Sequence, residues 1–239
     1  MITELQESKI TEYLIAQQLS LDILVEIRDH MISQISELQF NENLDFEAAF
    51  LKIKESWNGE FAMVNYVLFY PAKIPLIAKR IIQERYNGLF KKSLMVGLLA
   101  SVINLLLLLI AGSKEEYTVF FRLLNASFVV MTILIWVFNY KIWKYLKADF
   151  KYRGKCLYTM YQQNLGLMVV CASSMTQVAS KSGSYAYQLI REQNHHDVLT
   201  GLITLILPFI LQTALTFALF NFIEHKKNLV KMQEFLKPV

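Results

Sequence analysis

Cysteine, proline and glycine are all scarce in these 239 residues: two, four and eight copies respectively. The two cysteines, Cys156 and Cys171, have neither metal-type nor framework spacing and read as ordinary small apolar residues. There is no glycine-rich phosphate loop, no GxSxG elbow and no Cys–His pairing, so the common signatures of nucleotide binding and nucleophilic catalysis are missing. Charge is also thin, at 18%, where soluble domains run to roughly a quarter. Met1 to Gln18 contains no apolar stretch of signal-peptide type, so the N-terminus is expected to stay in the cytoplasm.

Apolar residues make up 54%, and they are bunched. Up to about residue 90 they alternate with charge; beyond it they form long uncharged runs. About 20 apolar residues match the hydrocarbon thickness of a bilayer. Four spans are expected on that ground, at about 93–111, 119–140, 157–178 and 198–223, with Arg122 snorkelling near the outer end of the second and Pro208 kinking the fourth. The Lys/Arg distribution tests this arrangement independently. From residue 61 onward, sixteen cations precede the first span, separate the second from the third, or follow the fourth, whereas four lie at the alternate ends. Positive residues collect on the cytoplasmic side, so both termini are expected inside a bacterial inner membrane.

Residues 1–60 carry twelve acids against four bases, a net charge of −8. An acidic surface repels phosphate, which excludes direct nucleic-acid binding by this segment. Helices are expected from Thr3 to Gln18, from an N-cap at Ser20 through Leu38, and from Asp45 to Trp57, with Asn58-Gly59 as a stop. Leu24, Met31, Ile35, Phe46, Phe50 and Ile53 recur at helical spacing and should form the core of a three-helix head. Residues 61–92 read as a connector whose basic amphipathic part, IPLIAKRIIQERYNGLFKK, lies along the inner leaflet. FAMVNYVLFY either belongs to that connector or completes the head core.

Few residues carry chemistry. His195, His196 and Asp197 are the weak metal candidates, but adjacent histidines lack the i, i+4 geometry of a helical zinc pair, and no cofactor is expected. His30 lies off the apolar stripe of the second helix. The spans hold amides rather than charges (Asn104, Asn125, Gln163, Asn164, Gln177 and Gln212), which suits hydrogen bonding between helices better than a proton relay.

The run LDILVEIRDHMISQISEL, an Asn-containing loop, and LDFEAAFLKIKESWNGEF together resemble the HAAS domain, a cytoplasmic helical signalling domain of bacterial membrane proteins. Asp29-His30, Asp45-Phe46-Glu47-Ala48-Ala49 and Gly59 hold the matching places, over the first quarter to third of the chain. The resemblance implies a multi-span tail, a link to PadR-type transcriptional regulators, and a docking role for Asp29 and His30. The expected protein is therefore an all-α integral membrane protein with a cytoplasmic three-helix head and about four transmembrane helices. Its expected role is non-enzymatic membrane signalling, with the membrane subunit of an exporter as the alternative. Its expected partners are the lipid bilayer and a cytoplasmic protein with a basic surface; an oligomer is left open.

Overall fold

The computed structural model describes residues 2–67, 70–139, 159–180, 183–193 and 198–236. Two compact units share the chain. The first takes Met1–Tyr86, Ala148–Gln162 and Lys227–Val239; the second takes Asn87–Lys147 and Gln163–Lys226.

In the first unit, α1 (Glu4–Ala16) starts at a capping box. The Thr3 hydroxyl accepts from the Gln6 amide, and the Gln6 side chain accepts from the Thr3 amide. Ser20 occupies the N-cap position of α2 (Leu21–Asn41) without a side-chain cap bond. Asp45 caps α3 (Phe46–Trp57) by accepting from the Ala48 amide at 2.8 Å. The turn between α2 and α3 uses Asn43 at φ 51°, a left-handed conformation that asparagine tolerates. All six expected core residues are buried, and Ile10, Leu14, Leu19, Ile23 and Ile27 are buried with them. Phe61 joins this core, stacking on Trp57 at 5.7 Å and meeting Tyr13 edge-on at 5.9 Å.

The segment after Phe61 differs from a single leaflet connector. Met63–Val67 (β1) and Tyr70–Pro75 (β2) pair antiparallel, Met63 opposite Pro75 and Val64 opposite Ile74, with an irregularity between Asn65 and Val67. Pro71 and Pro75 are compatible with this because every strand of a two-stranded hairpin is an edge strand. The basic run that follows is not a separate element either: α4 (Leu76–Ile110) is one unbroken helix of 35 residues, about 52 Å long at 1.5 Å per residue. The basic amphipathic run and the first expected span therefore share one helix.

The second unit contains most of α4, then α5 (Lys114–Phe138), α6 (Leu165–Ser180), α7 (Ser184–Ile190) and most of α8 (Val198–Leu236); a 3₁₀ turn, Met160–Asn164, leads into α6. Along α4 the residues buried in this unit are Leu89, Ser93, Gly97, Ala100, Asn104 and Leu108, at spacings of three and four. From Leu94 onward most of the remaining helix surface is apolar and at least partly exposed, for example Leu99 at 62% and Ile110 at 72%. Two cores form here. Met168, Cys171 and Met175 of α6 pack on Leu215, Ala218, Leu219 and Phe222 of α8, with Phe128 and Ile135 of α5 at the side. Leu108 and Ala111 pack with Tyr117, Phe121, Ala186 and Tyr187. Among the described residues, α4, α5 and the Val198–Leu229 part of α8 are long and apolar enough to cross a membrane. The third expected span, 157–178, begins outside the described residues. Its described part is a 3₁₀ turn and the 16-residue α6, so it is shorter and less regular than a continuous span.

Candidate functional site: a carboxylate clamp and buried amides

Within the first unit, polar contacts concentrate on the start of α2. Asp22 and Glu26 stand one turn apart. Asp22 lies in the first turn, where a carboxylate meets the positive end of the helix dipole. The Asp22 carboxylate accepts from the Met160 amide at 3.1 and 3.3 Å and from Asn228 Nδ2 at 3.5 Å. Glu26 forms an ion pair with Arg85 of α4. The neighbouring Tyr86 hydroxyl donates to the Met160 carbonyl at 2.6 Å. One helix of the head is thereby tied to the first turns of α4, to the 3₁₀ turn and to the last turns of α8. Hairpin and α4 are bound to the end of α3 as well: the Leu76 amide donates to Ala62 O, the Ile77 amide to Glu60 O, and Arg80 pairs with Glu60 at 2.9 Å.

Burial pushes the Asp22 carboxyl above its ordinary 3.8, against the opposing pull of the Met160 hydrogen bond and the nearby Arg85 charge. An ionised Asp22 thus bears a desolvation cost that its hydrogen bonds offset only in part. The Glu26–Arg85 pair, a third to a half exposed, contributes at most about 1 kcal/mol. The clamp specifies geometry more than it supplies stability.

Asp29 and His30 are exposed, and Asp29 pairs with the adjacent Arg28 at 3.1 Å. They continue the stripe of Asp22 and Glu26, since positions 22, 26 and 29 are spaced by four and three. The stripe is engaged at its start and open to solvent further along. The sequence reading picked out its exposed end and missed Asp22 and Glu26. The four-then-three spacing of acids was the available signal, but nothing in the sequence showed what faced them.

In the second unit the amides pair between helices. Asn104 of α4 accepts from the Tyr117 hydroxyl of α5 at 3.3 Å, and Asn125 of α5 accepts from Gln212 of α8 at 3.2 Å. Asn164 donates to Asn221 of α8 at 3.0 Å, and Lys226 donates to Asn139 at 2.6 Å. Gln177 is exposed, and the side chain of Gln163 lies outside the described residues. Tyr117 and Asn221 were not singled out from sequence, because a tyrosine or a lone asparagine in an apolar run does not announce its partner. Arg122 lies at the Ser180 carbonyl, 3.5 Å away.

His195, His196 and Asp197 lie outside the described residues. Among the described residues no group of three His, Cys, Asp or Glu is placed to hold a metal ion. No protein-family model, curated protein or solved structure matches the chain.

Proposed function

We propose that this chain is a non-enzymatic, multi-pass inner-membrane regulatory protein whose cytoplasmic head passes the state of its membrane helices to a soluble partner. The observation that carries the reading is the clamp at Asp22 and Glu26. Glu26 fixes α2 to Arg85 of α4 and Asp22 fixes it to Asn228 of α8, two long continuous helices, so a shift of either helix end must move the head. The exposed apolar surfaces of α4, α5 and α8 suit lipid contact, since soluble proteins rarely leave so much apolar area uncovered. Four spans fit the 16-to-4 Lys/Arg bias with both termini cytoplasmic. The third would be the weakest: α6 rises about 24 Å and the 3₁₀ turn about 10 Å more, together just enough for roughly 30 Å of hydrocarbon.

The HAAS resemblance suggests the partner, a PadR-type winged-helix regulator, with Asp29 and His30 at the contact. The charge of −8 on residues 1–60 calls for a basic partner surface and salt-sensitive association. The test is binding of the full-length protein in nanodiscs to the regulator encoded beside it, at low and moderate salt. Binding lost at higher salt and in Asp29→Lys is expected; no binding to any adjacent regulator would refute the reading. Transport is the second reading, favoured by the buried polar interior in which Gln212 Oε1 has no hydrogen-bond partner among the described residues. Cysteine labelling at positions 114 and 182, in a Cys156→Ser/Cys171→Ser background, tests the topology. Labelling in intact cells is expected, and labelling only after lysis would overturn the four-span arrangement.

A further inference from the structure

The hairpin of the first unit has two outer edges, and they are not alike. Pro75 has no amide hydrogen, so Met63–Pro75 is a non-hydrogen-bonded pair, flanked by the Leu76 amide donating to Ala62 O at 3.0 Å. Bonded and non-bonded pairs alternate along an antiparallel ladder. Val64–Ile74 is therefore bonded across the hairpin, and Asn65–Lys73 is not. Met63 and Asn65 accordingly turn their N–H and C=O groups to the outer edge of β1, as Lys73 and Pro75 turn their backbone groups to the outer edge of β2.

β2 carries what blocks strand addition: two prolines, Pro71 and Pro75, and the exposed Lys73 between them. β1 is Met63-Val64-Asn65-Tyr66-Val67, with no proline and no charge. Met63 and Asn65 are exposed, and among the described residues neither makes a hydrogen bond outside the hairpin. The irregularity between Asn65 and Val67 limits the regular part of this open edge to Met63–Asn65. One edge is guarded and the other is a template for a further strand.

We propose that β1 pairs antiparallel with β1 of a second copy of this chain, about a two-fold axis through Val64. In that register Met63 of each chain lies opposite Asn65 of the other, and each such pair exchanges both of its N–H···O bonds. Every outward N–H and C=O of Met63 and Asn65 is then satisfied on both chains, which makes the edge self-complementary, as a two-fold interface requires. Val64 meets its own copy in the closer, non-hydrogen-bonded position, and an uncharged strand brings no like charges together across the axis. Two hairpins, each marginal as an isolated pair of strands, become one continuous sheet. The inference rests on the hairpin and not on the signalling reading.

The experiment uses the full-length protein in membranes of the cells that express it, in a Cys156→Ser/Cys171→Ser background, with copper phenanthroline as oxidant. Val64→Cys is expected to give a disulfide-linked band at twice the chain mass. Cα atoms of a non-hydrogen-bonded pair stand roughly 4.5 Å apart, within the disulfide reach of about 4.4–6.8 Å. Lys73→Cys, on the guarded edge, should stay monomeric. Asn65→Pro removes an outward amide hydrogen but no bond of the hairpin itself, so adding it to Val64→Cys should abolish the band; Met63→Pro should do the same. Absence of the Val64→Cys dimer would overturn the pairing, as would an equal yield from Lys73→Cys or a dimer that survives both prolines. Linkage of Val64→Cys to a different protein instead of a second copy would overturn it too. The two cysteine variants decide the matter should the proline variants not fold.

Discussion

A methyl group added to Gly97 of α4 would lie 2.0 Å from Thr213 Oγ1, 3.2 Å from Thr213 Cβ and 3.4 Å from Phe209 Cε2. Close-packed interiors do not absorb such an overlap, so Gly97→Ala must drive the two helices or the hydroxyl apart by about 1 Å. Overpacking of this kind costs about 1–3 kcal/mol. The alanine also returns about 1 kcal/mol of helix propensity, so the single variant should lose up to about 2 kcal/mol, or a few degrees in Tm. Thr213→Ala is expected to be close to neutral, because its buried hydroxyl has no hydrogen-bond partner among the described residues. In the double variant the 2.0 Å contact is gone and 3.2 Å becomes the closest approach. The pair should therefore be at least as stable as the native protein, with a coupling energy of about 1–3 kcal/mol. Thermal unfolding followed by a thiol-reactive dye measures this, since Cys171 is buried in the core of the second unit and reacts on opening; Cys156 is replaced by Ser beforehand. A Gly97→Ala penalty that is absent, or that persists unchanged with Thr213→Ala, would refute close contact between α4 and α8 at this position.

Three further outcomes are expected. Phe50→Ala removes a ring buried against Phe46 and Tyr13 and should cost about 3–5 kcal/mol, read as lost protease resistance of residues 2–61. The raised Asp22 carboxyl means that the native state holds its proton to higher pH than the unfolded chain. Stability from this group therefore grows as pH falls from the native pKa toward 3.8, and the ionised form bears the cost above it. Asp22→Asn should flatten that dependence in pH-resolved melts, whereas Asp22→Ala, which strips the Met160 amide of its acceptor, should cost about 1–3 kcal/mol across the range. The Asn125–Gln212 pair should give a coupling energy of about 0.6 kcal/mol in an Asn125→Leu/Gln212→Leu cycle monitored by thermal unfolding, and zero coupling would separate α5 from α8 at that level.

Local rules made the helices legible. Thr3 and Asp45 cap where small polar residues precede an apolar period, and Asn58-Gly59 follows the last turn of α3. The head core was readable because side chains three and four apart must share a face, whatever that face meets. The hairpin was not, because Met63–Pro75 is one short apolar stretch carrying two prolines, and only its pairing partner makes it a strand. Nor was the continuity of α4 across Asn87-Gly88: a lone glycine lowers helix propensity by about 1 kcal/mol without ending a helix.

What the sequence determined by itself is what depends on spacing and solvent: the three head helices, the long apolar helices, the acidic head and the sixteen cations set against four. What only the tertiary structure decided is which polar group meets which. Asp22 finds Met160, 138 residues away, and Gln212 finds Asn125 across 87. A carboxylate or an amide makes the same pattern in a sequence whether it faces water or a partner. The difference is desolvation, which exists only once the chain has folded around it.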